Sequence, residues 1–173
     1  MTALTPSSTV ESGRIATFDK MEGVMEYVEK SIEVDVPVRT AYNQWTQFES
    51  FPQFMDGVEE VRQIDDKNLF WRAKVMGVEK GWNAEIVEQV PDKRIAWHST
   101  SGTDNAGIVT FDTLSPTSTK LTLRLGYEPE GAMENLGKAL GSLERAIEGD
   151  LKRFKKFIEG RRVETGAWRE EIH

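Results

Sequence analysis

VEKSIEVDVPVRTAYNQWTQFESFPQFMDGVEEV, residues 28–61, decides the fold. Val28, Ile32 and Val34 fall on one side of an extended chain, and Glu29, Ser31 and Glu33 fall on the other. That alternation marks a half-buried strand. Pro37 ends the strand, because proline cannot donate to a sheet ladder. Val38, Ala41, Tyr42 and Trp45 then recur at spacings of three and four, the apolar stripe of a short helix. A second short turn covers Glu49–Phe54, with Pro52 in its first turn, where the missing N–H has no helical partner to lose. After Gly57 the period returns to two over Val58–Ile64.

Downstream of this stretch the alternation persists. Asp65, Asp66, Lys67 and Asn68 form a turn. In Leu69–Met76, Leu69, Trp71, Ala73 and Val75 oppose Phe70, Arg72, Lys74 and Met76. Gly77 breaks the run, and Gly81–Val90 puts Trp82, Ala84 and Ile86 together. Pro91 and Asp92 turn the chain into Arg94–Ser99, where Ile95 and Trp97 share a face. Thr100–Gly107 reads as a polar loop. Val109 and Phe111 share a face in the next strand, which ends at Ser115 and Pro116. Thr119–Tyr127 aligns Leu121, Leu123, Leu125 and Tyr127. Short strands joined by short connections, with one apolar face, predict an antiparallel meander.

The period then changes to 3.6. Met133, Leu136, Leu140, Leu143, Ile147, Leu151, Phe154 and Ile158 predict one long amphipathic helix over Ala132–Gly160. Gly137 and Gly141 lie one turn apart; they are either tolerated helix glycines or points of close approach to the sheet or a ligand. The last turns are basic, which complements the helix dipole or suits contact with a membrane surface or another anionic partner. Residues 1–23 lack a period and read as a flexible tail, 24–160 as one domain, and 161–173 as a C-terminal extension, partly helical or disordered.

Composition narrows the function classes. The chain has 173 residues, 22 Lys plus Arg against 29 Asp plus Glu, and a net charge of −7. That balance argues against nucleic acid as a partner, which calls for a basic face. With no cysteine and two histidines, disulfides, thiolate sites and multi-histidine metal cages are excluded, and no cofactor is expected. There is no run of apolar residues long enough for a transmembrane segment and no signal-peptide pattern, so the expected location is cytoplasmic. The oligomeric state is left open.

In element order the chain resembles the helix-grip superfamily of START lipid-binding domains, birch-pollen-type allergens and polyketide cyclase/dehydrase (SRPBCC) proteins. It is most similar to the bacterial cyclase and coenzyme Q-binding START-like members. The resemblance rests on residues 28–61 quoted above, on LFWRAKVMG at 69–77, on WNAEIVEQVPDKRIAWHSTSG at 82–102 and on LGYEPEG at 125–131. It implies an α+β fold: a seven-stranded curved antiparallel sheet, two short helices after the first strand, and one long C-terminal helix across the concave face. A single helix leaves room for a cavity there.

Three readings of function follow. One is binding of a small hydrophobic molecule such as a lipid, isoprenoid quinone or polyketide. A second is a cyclase or dehydratase. A third is an interaction or regulatory module with a filled cavity. Trp71, Trp82, Trp97, Phe111 and Tyr127 on the sheet, with Leu136, Leu140 and Leu143 on the helix, either line the pocket or pack as core. No recognisable catalytic motif is present. The resemblance implies an arginine on the Leu69–Met76 strand pointing into the cavity, and Arg72 is the position that matches. The alternation instead assigns Arg72 to the polar face. His98, next to Trp97, is expected to face outward, and the segment around Trp168 reads as a loose tail.

Overall fold

The computed structural model describes residues 26–75, 77–102, 105–127 and 136–173; the expected tail at 1–23 and the start of the long helix at 132–135 lie outside them. Strand β1 (Glu26–Val34) is followed by helix α1 (Val38–Trp45) and a 3-10 turn (Phe48–Gln53). Then come β2 (Val58–Gln63), β3 (Asn68–Val75), β4 (Val78–Val90), β5 (Arg94–Gly102), β6 (Asn105–Ser115) and β7 (Ser118–Tyr127). Helix α2 (Leu136–Arg161) closes the regular structure. The seven strands form one sheet in the order β1-β7-β6-β5-β4-β3-β2, every pair antiparallel.

The turns follow from local chemistry. Asp65 Oδ1 accepts the backbone N–H groups of Lys67 (2.9 Å) and Asn68 (2.8 Å), which closes β2 onto β3. Gly77, at φ +81°, allows a tight reversal, so β4 starts at Val78, three residues before the expected Gly81. The long β4 also recruits polar chain: Asn83 pairs with Ser101 and Trp82 with Gly102. The loop expected over Thr100–Gly107 is thereby largely absorbed into β5 and β6.

One half of the interior is densely aromatic. Trp45 meets Phe51 at 5.4 Å and Phe154 at 5.1 Å between ring centroids, and Phe54 meets Phe154 at 5.2 Å. Each well-placed pair adds about 0.5–1.5 kcal/mol beyond its area. From α2, Ile147, Leu151, Phe154 and Ile158 are all buried, whereas Leu143, one turn earlier, is only partly so. A Cβ at Gly141 would meet nothing nearer than the Arg145 guanidinium of the same helix, at 3.5 Å, so this glycine marks no close approach to the sheet.

The C-terminal extension corrects the sequence expectation. Beyond Arg161 it is neither helical nor loose but an extended strap across α1. Gln44 Nε2 donates to Thr165 Oγ1 (3.0 Å), and Thr165 N–H donates back to Gln44 Oε1 (2.8 Å). Trp168 N–H donates to Thr46 Oγ1 at 3.0 Å. Ile172 pairs its backbone with Gln89 of β4. Arg169 makes a two-pronged contact with Asp92 (2.9 and 2.8 Å) and reaches Asn43 Oδ1 at 2.7 Å. The strap satisfies α1 side chains that would otherwise be buried without partners.

Candidate functional site

The strand register assembles the concave face row by row. Trp71 of β3 stands directly opposite Trp82 of β4. Along β4 the next inward residues are Ala84, opposite Ser99, and Ile86, opposite Trp97. Trp97 in turn faces Gly107 of β6, which faces Leu125 of β7. The alternation therefore brings Trp71, Trp82 and Trp97 to one face, with Trp97 four β4 residues, about 13 Å, along from the row of Trp71 and Trp82, and Trp71 resting on Phe51 at 5.6 Å between ring centroids.

Trp71 and Trp82 stack with centroids 5.8 Å apart and an interplanar angle of 8°. Trp71 is 8% exposed. Trp82, Trp97, Leu125 and Leu143 are half-buried and pack against the core. Gly107 explains the pose of Trp97, because a Cβ there would lie 2.3 Å from Trp97 Cζ2. The indole occupies the space that a side chain on β6 would fill. Ser99 Oγ accepts the Asn105 N–H at 3.0 Å, so this end of the face is not wholly apolar.

Two polar atoms in this region lack partners. The Nε1 atoms of Trp71 and Trp82 are buried with no hydrogen-bond acceptor. Buried indole N–H groups ordinarily find one, and each unsatisfied donor costs about 1–3 kcal/mol.

The other sequence candidates separate. Phe111, buried on β6, packs edge-on against Tyr42 at 5.4 Å. Four residues along the strand from Gly107, it sits about 13 Å away and belongs to the filled half. Leu143 of α2 is half-buried against the core. The side chains of Tyr127, Leu136 and Leu140 lie outside the described residues. Arg72, the weak catalytic candidate, faces the convex side, contrary to what the resemblance implied. Its guanidinium meets Glu59 and Glu60 at 3.4 Å and Glu79 at 3.7 Å, and its side chain is 44% exposed. β3 pairs with β4 in unbroken register, so no bulge there turns Arg72 inward. His98 is outward too, 3.6 Å from Glu85.

Lys30, Ser99 and Gly107 were missed. Lys30 lies between Val28 and Ile32 at period two and pairs with Leu123, so the alternation alone marks it as inward. It meets Glu144 of α2 at 3.6 Å and borders a cleft of about 210 Å³ with Ile32, Glu148, Leu151 and Lys152. Gly107 carried no signal beyond its residue type. Among the described residues no group of three or more His, Asp or Glu side chains could hold a metal ion.

Two titrations are displaced by burial. Desolvation pushes the Tyr42 phenol up to about 12, against the opposing pull of Gln89 and Arg169. Burial likewise pushes Asp150 of α2 up to about 6. Asp150 Oδ1 accepts the Asp56 N–H at 3.0 Å and contacts Arg153, whose Nε donates to Phe54 O at 2.9 Å. This clip fastens α2 to the loop that leads into β2.

Known proteins share the architecture. A START superfamily protein from Mycobacterium smegmatis superposes with a TM-score of 0.61 at 18% identity, covering 78% of this chain and 95% of that one. Zhui aromatase/cyclase from Streptomyces sp. R1128 gives 0.62 at 16% identity, covering 79% and 93%. Both likenesses show the helix-grip, START-like fold. A Streptomyces lincolnensis protein, described as an uncharacterized 17.2 kDa protein in the melC2-rnhH intergenic region, is 53% identical over 146 residues, 84% of this chain and 97% of its own. Residues 34–156 match the family described as polyketide cyclase/dehydrase and lipid transport. With most of the domain inside that match, the chain belongs to the polyketide cyclase/dehydrase and lipid transport family.

Proposed function

We propose that the protein binds a small, largely apolar molecule at the tryptophan end of its concave face, between the sheet and α2. The observation that carries this reading is the contrast between the two halves of the interior. The half around Trp45, Phe51, Phe54 and Phe154 is close-packed. On the sheet, Trp82 and Trp97 are the largest side chains left half-buried, and Leu125 and Leu143 are half-buried as well; at the aromatic end Phe157 and Trp168 are half-buried too. A core that only stabilises has no reason to stop short of covering them. Family membership supports either ligand binding or a cyclase role. Binding is favoured because Arg72 and His98, the polar candidates on the tryptophan-bearing strands, both face away from the concave side.

Native mass spectrometry of freshly purified protein tests the proposal, since a tightly held ligand travels with the chain. A titration of indole fluorescence with a fatty acid, a short-chain quinone and a planar polycyclic complements it. A saturable response to one class is expected. No co-purified molecule and no saturable response to any of the three would overturn the binding reading.

A further inference from the structure

The row that crosses the concave face at Trp97 is built around a missing side chain. Trp97 of β5 pairs with Gly107 of β6, and Gly107 pairs with Leu125 of β7. A glycine inside a strand packs nothing and weakens it, and it often marks a place where another group comes close to the backbone. Backbone conformation does not explain this one, since Gly107 is not among the positive-φ glycines Gly57, Gly77 and Gly102. The Trp97 indole does. A strand side chain ordinarily stands off its sheet, but here the six-membered ring lies over the β6 backbone: a Cβ on residue 107 would fall 2.3 Å from Cζ2, 2.7 Å from Cε2 and 2.8 Å from Cη2. Carbon atoms in contact keep about 3.5–4.0 Å apart, so any side chain at 107 forces the ring back by about 1.2 Å or more. Sideways retreat is closed. Ile86 stands opposite Trp97 on β4, Ile95 lies two residues along β5 and Val109 two residues along β6 on the same face, and all three are buried. The remaining direction is away from the sheet, toward α2.

We infer that Gly107 sets the depth of the site, an inference that rests on the binding reading above: by carrying no side chain it lets the Trp97 indole lie down on the sheet and keeps the space between Trp97 and α2 for the ligand. Trp97 and Leu125, both half-buried, then form the floor on either side of the bare backbone. A larger residue at 107 turns the indole up, and the raised indole itself fills the space. Gly107 is thus a positioning residue that acts through Trp97. Depth selects by ligand size. A ligand that leaves part of the space empty tolerates a raised indole, and one that fills the space does not.

The test is a size series. Naphthalene and phenanthrene, flat hydrocarbons that differ by one fused ring, are titrated against wild type, Gly107→Ala and Gly107→Ala/Trp97→Phe. Indole fluorescence gives the affinity, and denaturant unfolding checks that each variant folds. Wild type binds both probes. Gly107→Ala loses about tenfold or more in affinity for phenanthrene and no more than about threefold for naphthalene. Phenylalanine lacks the fused ring that meets position 107, so the double variant recovers phenanthrene affinity to within about threefold of wild type. A glycine with a merely structural role would give no such size-dependent loss and rescue. Equal losses for the two probes, no loss for either, or a loss without rescue would overturn the depth role and leave binding standing. Failure of wild type to bind either probe would overturn the binding reading itself. Where Gly107→Ala fails to fold, Trp97→Phe alone decides: the lowered floor raises the preference for phenanthrene over naphthalene by about threefold or more, and an unchanged preference overturns the inference.

Discussion

Arg169→Ala removes the fastening of the strap. The guanidinium makes two parallel hydrogen bonds to Asp92, at 2.9 and 2.8 Å, one to Asn43 at 2.7 Å, and lies 5.4 Å from the Tyr42 ring centroid. Charge-assisted hydrogen bonds contribute about 1.5–3 kcal/mol each when well shielded. The Asp92 pair is discounted, because its side chain is 33% exposed and rehydrates when the arginine is lost. Asn43 is different: at 2% exposure its Oδ1 is orphaned, which costs about 1–3 kcal/mol. The sum is about 3 kcal/mol. For a chain of this size that lowers Tm by roughly 6–12 °C. Urea unfolding followed by circular dichroism gives the free energy directly, with Arg169→Lys as the second variant. Lysine keeps the charge but not the fork, so it recovers less than half of the loss. A loss below about 1 kcal/mol in Arg169→Ala, roughly the worth of an exposed ion pair, would refute the view that the strap is a structural part of the domain.

The remaining expectations cover the clip, the helix and the convex face. Burial raises the folded-state pKa of Asp150 from 3.8 to about 6. The folded protein therefore holds a proton that the unfolded chain releases between those values, and stability falls as pH rises through about 4 to 6, by up to about 3 kcal/mol. Asp150→Asn removes that slope, so its stability relative to wild type increases from pH 4 to pH 7; parallel pH profiles in denaturant unfolding would contradict this. Leu151→Ala, at a 2% exposed site, costs about 2–5 kcal/mol, whereas half-buried Leu143→Ala costs under about 2. Equal losses would mean that the two halves of the interior are packed alike. Arg72→Ala shifts stability by no more than about 1 kcal/mol and leaves any saturable indole response to the fatty acid, quinone or planar polycyclic unchanged, since its carboxylate partners are on the convex surface; a weakened response would place Arg72 in the site after all.

Period-two alternation from Val28 to Tyr127, interrupted once by a helical stripe and closed by a 3.6-period run, was enough by itself to specify a meander under a long helix. The same alternation assigned Trp71, Trp82 and Trp97 to the inner face and Arg72 and His98 to the outer one, because on a continuous strand neighbouring side chains point to opposite faces. Tertiary structure alone decided which inward residues form dense core and which stay half-covered. Phe111 and Trp97 share a strand face in the sequence pattern. Only the arrival of Tyr42 over one and the bare backbone of Gly107 beside the other distinguish them. The strap was equally invisible: its polar residues look like a solvated tail until α1, more than a hundred positions earlier, supplies their partners. Periodicity is a property of neighbours along the chain, so it reports which way a side chain points. What that side chain meets depends on elements brought together by folding, and hydrogen bonds between distant short polar segments leave no period to read.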